Sequence, residues 1–300
     1  MGCACGRQSV VIQGQKFYLM RQIGEGSFSY VFEARNTADS HQYAVKKMSC
    51  HTDEEENRAR DEIENYQRFS HSNLVSLLYH EQVKYSPNAH VTSIFWLVFH
   101  YFKNGSLQNV FDRQTKFTTR VLLELFLSIC EGVRQIHEKQ MAHRDLKPSN
   151  VMLLNNSQGV ILDFGSMTPA TISITNRSDA QKWQDWAEEN CCVQYRAPEL
   201  FHIETNTVIT SKTDIFSLGG ILYACCFGKG PFDDVYSRGD SVALAIASGR
   251  IELPIQSSTY PSIIIDTMLS MLHTEPEQRP TVNEVIDVLS SVARLTMDIA

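Results

Sequence analysis

A change of hydrophobic period about a third of the way along the chain does most to narrow the folds open to it. From Phe17 to Val98, "KFYLMRQI", "YVFEAR", "QYAVKKM", "NLVSLLYH" and "TSIFWLVF" are short runs rich in β-branched and aromatic residues, separated by Gly, Asp, Ser and Asn. That is the pattern of strands. One helix interrupts them: Thr52 and Glu55 have the spacing of a capping box, with Ala59, Ile63 and Tyr66 forming a thin apolar stripe behind. After "FKNGSL" the period changes. Leu122, Leu125, Ile129, Val133 and Ile136 recur at steps of three and four, and further helical stretches follow around 212–228, 262–272 and 281–294. The expected architecture is α+β: a small β-rich lobe over residues 16–102, a larger helical lobe over 103–295, and a tail over 1–15.

Composition excludes several function classes. The chain has 300 residues, 43% apolar and 20% charged, with a formal net charge of −7. An acidic chain lacks the basic face that offsets phosphate charge, which argues against a nucleic-acid partner and against attraction to anionic lipid. The first 14 residues contain no secretory apolar run. The longest apolar stretch, Ile215 to Phe227, is 13 residues, short for a bilayer and long enough for a buried helix. Eight cysteines lie at 3, 5, 50, 130, 191, 192, 225 and 226 with no C-x-x-C spacing, and His137 and His143 are six apart. Neither arrangement suits a metal site or a disulfide framework.

Three segments carry chemistry. In "IGEGSFSYV" Gly24 and Gly26 let backbone approach a ligand closely, although a plain hairpin turn reads the same way. In "YAVKK" period-2 alternation puts Ala44 and Lys46 on one strand face, where a flat base and phosphate oxygens would be met; Glu62 on the first helix can pair with Lys46. "HRDLKPSN" then places Asp145, Lys147 and Asn150 together, and "LDFG" adds Asp163. Phosphoryl transfer needs a hydroxyl oriented, divalent metal held on the phosphates and developing charge neutralised. Asp145 suits the first task, Asn150 and Asp163 the second, and Lys147 and Lys46 the third.

With those segments in this order the chain resembles the eukaryotic protein kinases over about residues 17 to 295. The resemblance implies a bilobal fold, ATP as phosphate donor, Mg²⁺ or Mn²⁺, and protein substrates. It implies ATP contacts at Gly24, Glu25, Gly26, Ser27, Phe28, Ser29, Val31, Ala44, Lys46 and Glu62. Counting back from Gly105, it makes Phe99 a bulky gatekeeper and His100, Tyr101 and Phe102 the hinge. "YRAPEL" closes an activation segment, Arg279 is implied as the partner of Glu199, and Asp214 as the brace of the catalytic loop. The stretches "GEGSFSYV", "YRAPELF", "GKGPFDDVYSRGDSVALA" and "QDWAEEN" resemble lipid-anchored members of the Numb-associated kinase group. Two rivals remain: a pseudokinase, which damage to Lys46, Asp145 or Asp163 would favour, and a small-molecule kinase, which a complete "YRAPEL" disfavours.

Two departures bear on mechanism. Ser29 stands where the third glycine of the phosphate loop is usual, and Cys192 where the family usually has a threonine linking the catalytic aspartate to the lysine matched by Lys147. A thiol bonds more weakly, which opens Tyr autophosphorylation beside Ser/Thr transfer. The segment from Asp163 to Glu199 is long, and "SDAQKWQDWAEEN" is expected to form a helix capped by Ser178 or Asp179. Arg144 is a candidate partner for a phosphate on Thr171, Ser173, Thr175, Ser178 or Tyr195, with Glu188 and Glu189 as constitutive acidic alternatives.

At the N-terminus, Gly2 follows Met1 and precedes Cys3 and Cys5, with Gly6 where Ser or Thr is usual for N-myristoylation. A single myristoyl chain binds membranes with K on the order of 10⁴ M⁻¹, so a second signal is required. Arg7 is the only basic residue before Lys16, leaving S-palmitoylation of Cys3 and Cys5 as that signal. The resemblance implies residence on the cytoplasmic face of Golgi or plasma membrane, with a cytoplasmic pool.

Overall fold

The structure, a computed structural model, describes residues 8–26, 29–85, 90–254 and 259–297. The chain divides into two compact units, one of residues 1–71 and 75–102, the other of 72–74 and 103–300.

The first unit is a sheet of order β1-β2-β3-β4-β6-β5, antiparallel throughout. Its strands are β1 (Ser9–Ile12), β2 (Gln15–Gly26), β3 (Ser29–Asn36), β4 (Gln42–Cys50), β5 (Leu77–Lys84) and β6 (Ser93–His100). Helix α1 (Asp53–Gln67) lies between β4 and β5 in sequence. Its start follows the expected signal: Thr52 Oγ1 accepts from Glu55 N at 3.2 Å, and Glu55 Oε2 accepts from His51 N at 2.6 Å. Ala59, Ile63 and Tyr66 are all buried.

The tail expected over residues 1–15 is shorter than that. Ser9–Ile12 form β1, paired Ile12 to Gln15 through a two-residue turn in which Gln13 and Gly14 have φ of 47° and 77°. Positive φ at both positions is the geometry that closes a tight hairpin. Burial holds it there, because Ile12 and Phe17 are fully enclosed with Leu19, Val45, Trp96 and Val98.

In the second unit α3 (Thr119–Glu138) buries Leu122, Leu125, Ile129, Val133 and Ile136 completely. It packs against α9 (Val282–Met297). Helix α5 (Lys212–Phe227) contains the long apolar stretch, is buried almost all round and ends at Gly228 with φ 82°. No helix among the described residues is long and apolar enough to cross a membrane. Two short antiparallel pairs frame the remaining loops: β7 (Met141–Ala142) with β10 (Thr168–Pro169), and β8 (Val151–Asn155) with β9 (Gln158–Ile161).

After Asp163 and β10 the segment forms one further strand and a helix. Strand β11 (Ile172–Ile174) pairs with β12 (Thr207–Ile209), and α4 (Arg177–Asn190) packs Ala180 and Ala187, with Trp183 and Trp186, against that pair. The cap differs from the expected Ser178 or Asp179: it is Asn176, whose Oδ1 accepts from Asp179 N at 2.9 Å. Asp179, one turn in, reaches back to Asn176 Nδ2 at 2.7 Å and Thr175 Oγ1 at 2.8 Å.

Arg279 fastens the end of this segment. It is 2% exposed, and all five guanidinium N–H groups are used. Two go to the Glu199 carboxylate at 2.8 and 2.7 Å, and three to the carbonyls of His273, Lys212 and Thr274. Removing one member of a buried pair leaves the other desolvated and unpaired. Glu199→Ala is therefore expected to cost about 3 kcal/mol or more in urea unfolding, with part regained when Arg279→Met is added. A loss below about 1 kcal/mol would contradict this role.

Candidate active site

In the first unit, Lys46 Nζ donates to Glu62 Oε1 at 2.7 Å, with both side chains largely buried. Tyr66 Oη donates to the same oxygen at 3.0 Å, which fixes the carboxylate on α1. Strand register brings the other expected residues around this lysine. Val31 lies opposite Lys46, Ala44 opposite Phe99, and Gly24 opposite Val31. Glu25 pairs with Tyr30 and Gly26 with Ser29; the expected residues Ser27 and Phe28 lie outside the described residues. A Cβ on Gly26 would meet Ser29 Oγ at 2.9 Å, so a side chain at 26 would require the Ser29 hydroxyl to turn away. Phe99 is 8% exposed, its ring 4.9 Å from that of Tyr66. His100 ends β6, and Tyr101 and Phe102 follow, half-buried.

In the second unit the loop after β7 is built on one carboxylate. Asp214, fully buried on α5, accepts from His143 N and Arg144 N at 2.8 Å each. His137 Nε2 is 2.9 Å from the same group. These bonds hold Arg144 at φ +66°, a left-handed conformation costly for a side-chain-bearing residue. The turn delivers Asp145, 7% exposed, among three donors. Its Oδ1 accepts from Cys192 N at 2.9 Å; its Oδ2 accepts from Lys147 Nζ at 2.6 Å and Asn150 Nδ2 at 3.1 Å. Asn150 Nδ2 also donates to Asp145 O at 2.9 Å, so the amide turns its nitrogen toward Asp145. Leu162 N donates to Asn150 O at 2.8 Å, which sets Asp163 beside Asn150 in the chain's path, at φ +63°. Phe164 is fully buried, edge-on to His143. Burial would lower the Lys147 ammonium, but the Asp145 carboxylate outweighs it and the net direction is upward, keeping the lysine charged.

A model of the protein kinase domain matches residues 17–288. The chain is a protein kinase. Serine/threonine-protein kinase 16 of Rattus norvegicus is 38% identical over 97% of this chain and 94% of its own length. The Homo sapiens protein of the same name is 37% identical over the same shares. A probable serine/threonine-protein kinase of Dictyostelium discoideum is 29% identical over 94% of this chain and 95% of its own. The kinase is a protein serine/threonine kinase, and the domain's donor is ATP used with divalent metal.

The structure corrects several expectations for this kinase. The Cys192 thiol does not link Asp145 to Lys147; its Sγ points to Gln194 Oε1 at 3.8 Å, and the backbone N–H of Cys192 holds the aspartate instead. Burial raises the thiol above its ordinary value, so it stays neutral. Arg144 is not placed to receive a phosphate. It is 3% exposed and donates to Thr168 Oγ1, Thr213 Oγ1 and the carbonyls of Thr210, Pro169 and Ala170. Glu188 and Glu189 therefore do not serve it either; the Glu188 carbonyl accepts from Arg196. Tyr195 is 7% exposed, with burial raising its hydroxyl well above the ordinary value. Thr171, Ser173, Thr175 and Ser178 remain on the surface.

His137 was missed as a supporting residue. The available signal was a polar residue in the last turn of an otherwise amphipathic helix, next to fully buried Ile136. Burial would raise the Asp214 carboxyl, but the His137 hydrogen bond and the charges around it outweigh burial and hold it at about 2, below the ordinary 3.8. A depressed carboxylate contributes stability that is fully present above the unfolded value and lost as pH falls through the folded one. Between about pH 4 and pH 2 this single group should cost the kinase about 2 kcal/mol. Asp214→Asn should be less stable at neutral pH and should lack that part of the acid dependence. Urea midpoints across this pH range that fall in parallel for parent and variant would refute the assignment.

Proposed function

We propose that Asp145 orients the acceptor hydroxyl and takes its proton while the hydroxyl oxygen attacks the γ-phosphorus of ATP. The bond from γ-phosphorus to the bridging oxygen breaks, and ADP leaves with the electron pair. The observation that carries this reading is the three-donor clamp on the Asp145 carboxylate, which fixes its direction before substrate arrives. Lys147 lies on one side of that carboxylate and neutralises charge building on the transferred phosphoryl group. In the first unit Lys46, held by Glu62, is the cation for the nucleotide's phosphates, with Gly24, Gly26 and Ser29 as the covering hairpin. Ala44, Val31, Phe99 and His100 to Phe102 are the surroundings of the adenine.

Divalent metal fits Asn150 and Asp163. The Asn150 nitrogen is spent on Asp145, which leaves its amide oxygen as a donor; the backbone bond from Leu162 N to Asn150 O brings the chain just before Asp163 alongside, and hard oxygen donors suit Mg²⁺ or Mn²⁺. The ion would supply charge neutralisation on the phosphates. A pseudokinase is disfavoured because Lys46, Glu62, Asp145, Asn150 and Asp163 are all in place. Saturation of Arg144 favours activity without phosphorylation of the segment after Asp163. The acceptors are Ser and Thr, with any Tyr autophosphorylation secondary.

Asp145→Asn and Asp163→Ala are each expected to reduce kcat on a peptide acceptor by 10³-fold or more, on the order of removing a central catalytic group. Asp145→Asn should keep ATP binding. Cys192→Ala should stay within about threefold of the parent in kcat/KM and keep the same acceptor profile, because the bond to Asp145 comes from the backbone. A wild-type rate in either aspartate variant, or a changed acceptor profile in Cys192→Ala, would overturn these roles.

The N-terminus carries a second part of the proposal: Gly2 is myristoylated, Cys3 and Cys5 are palmitoylated, and the kinase sits on the cytoplasmic face of Golgi or plasma membrane. These residues lie outside the described ones, and the support is the Gly2-Cys3-x-Cys5 sequence in a tail whose only basic residue before Lys16 is Arg7. On cell fractionation Gly2→Ala should be soluble and the Cys3→Ser, Cys5→Ser double variant soluble or loosely bound. Pelleting of both with membranes, as for the parent, would sink the acyl reading.

A further inference from the structure

The second unit contains a cavity of about 430 Å³ that shares no residue with the Asp145 constellation. It lies among the end of α2 (Leu107–Asp112), the loop from Arg113 to Thr118, the start of α3 and the β8–β9 hairpin. Lys103, Arg113 and Lys116 line it, and no carboxylate does. Among the described residues none of these three cations forms an ion pair. Of the acidic residues nearest in sequence, Glu124 is paired with Arg120 and Asp112 accepts from Gln108 Nε2, and neither lines the cavity. Like charges gathered round one cavity repel one another, and the chain has 34 acidic residues against 27 basic from which a neutralising partner could have come. An anion entering the cavity relieves that repulsion.

The three cations are exposed, and hydrogen bonds hold much of the backbone around them. Arg113, Gln114 and Thr115 donate their backbone N–H groups to Asn109, Phe111 and Val110, closing the end of α2. Thr118 caps α3, and Tyr260 Oη donates to Phe117 O at 3.0 Å. Asn104 is held by its bond to Leu154 O at 2.9 Å. The lining also includes apolar side chains: Val110, Phe117, Val121 and the buried Leu153. A ligand suited to this lining has anionic groups on its rim and a flat C–H face for an aromatic ring. The volume is at the small end for ligand sites, about one substituted ring.

We propose that this cavity binds a multiply phosphorylated ring polyol, whether free in solution or as the headgroup of a lipid. Phosphates meet Lys103, Arg113 and Lys116, and the ring lies on Phe117. Arg113 contributes the forked geometry that suits phosphate, the lysines act as point charges, and the amides of Asn104 and Asn156 reach ring hydroxyls.

The test uses the full-length kinase saturated with a non-hydrolysable ATP analogue, so that phosphate does not enter the nucleotide site. Inositol hexakisphosphate is titrated in by calorimetry at physiological ionic strength. Saturable binding is expected, weakened about tenfold by each of Lys103→Gln, Arg113→Gln and Lys116→Gln, as for loss of one charge-assisted contact. Phe117→Ala should weaken it as well, while inorganic pyrophosphate should bind far less tightly than the ring compound. Peptide phosphorylation and the melting temperature should be unchanged in the three surface variants, which separates loss of the site from loss of the fold. Flotation with phosphatidylcholine vesicles, with and without phosphatidylinositol bisphosphate, distinguishes the sources. Capture that needs both the phosphoinositide and the three cations identifies a lipid headgroup, and binding confined to the soluble compound identifies a free ligand. Absence of binding, equal affinity for pyrophosphate, indifference to Phe117→Ala, or preference for a phosphopeptide would each overturn the proposal.

Discussion

Asp214 is the constraint on which the catalytic half of this kinase rests. A carboxylate with no exposed surface carries a desolvation cost that only several donors offset. Here two backbone N–H groups, from His143 and Arg144, and the His137 imidazole supply them. The backbone pair is the consequential part. It ties two successive peptide units to a helix that is itself buried on nearly every face. The left-handed turn at Arg144 is stable because those bonds over-determine it, and the same turn fixes where Asp145 emerges. The clamp on Asp145 is thus the last step of a chain of support that begins in the core.

Arg144 and Arg279 show two ways of burying an arginine, with different consequences. Arg279 is neutralised by Glu199 and satisfied by three carbonyls, so it joins the end of the segment after Asp163 to the loops around α8 (Ser262–Met271) and α9. Arg144 has no carboxylate among its side-chain partners; two hydroxyls and three carbonyls take its N–H groups. Burial lowers it, and the nearby Asp214 charge acts in the opposite direction. Where Arg144 is the expected receiver of an activating phosphate, the start of the segment and the residues before α5 already occupy it. Thr168 and Thr213 take two of its N–H groups.

How much of this was legible in the sequence differs by kind of interaction. The β-to-α change of period, the α1 cap and the buried face of α3 could be read because each depends on local spacing, and Lys46, Glu62, Asp145 and Asn150 could be located through motifs. The β1 hairpin could not, because Gln13-Gly14 is a weak turn signal and what holds Ile12 in place is a core assembled from β2, β4 and β6. The Asn176 cap is hidden for a similar reason: Asn, Ser and Asp stand within four positions, and only the reciprocal bonds among Thr175, Asn176 and Asp179 choose between them. The setting of Arg144 is not legible locally, because its five acceptors come from sequence positions 24 to 69 residues away.

Cys192 carries the same lesson down to single atoms. Read as a residue type, a cysteine in place of threonine removes a hydroxyl and weakens a link to Asp145. Read as a position, it supplies a peptide N–H, and every residue but proline has one. That N–H sits 2.9 Å from Asp145 Oδ1, while the thiol is turned to Gln194. The path of the backbone here follows from its neighbours: Tyr195 N donates to Cys192 O, and Ser217 Oγ on α5 donates to Tyr195 O at 2.7 Å. The side chain at 192 is thereby released from holding Asp145, a constraint that the motif alone had placed on it. What this position requires is the peptide geometry that α5 imposes, and α5 is also the helix that carries Asp214. Both the turn that presents Asp145 and the N–H that aims its carboxylate are therefore referred to one buried element.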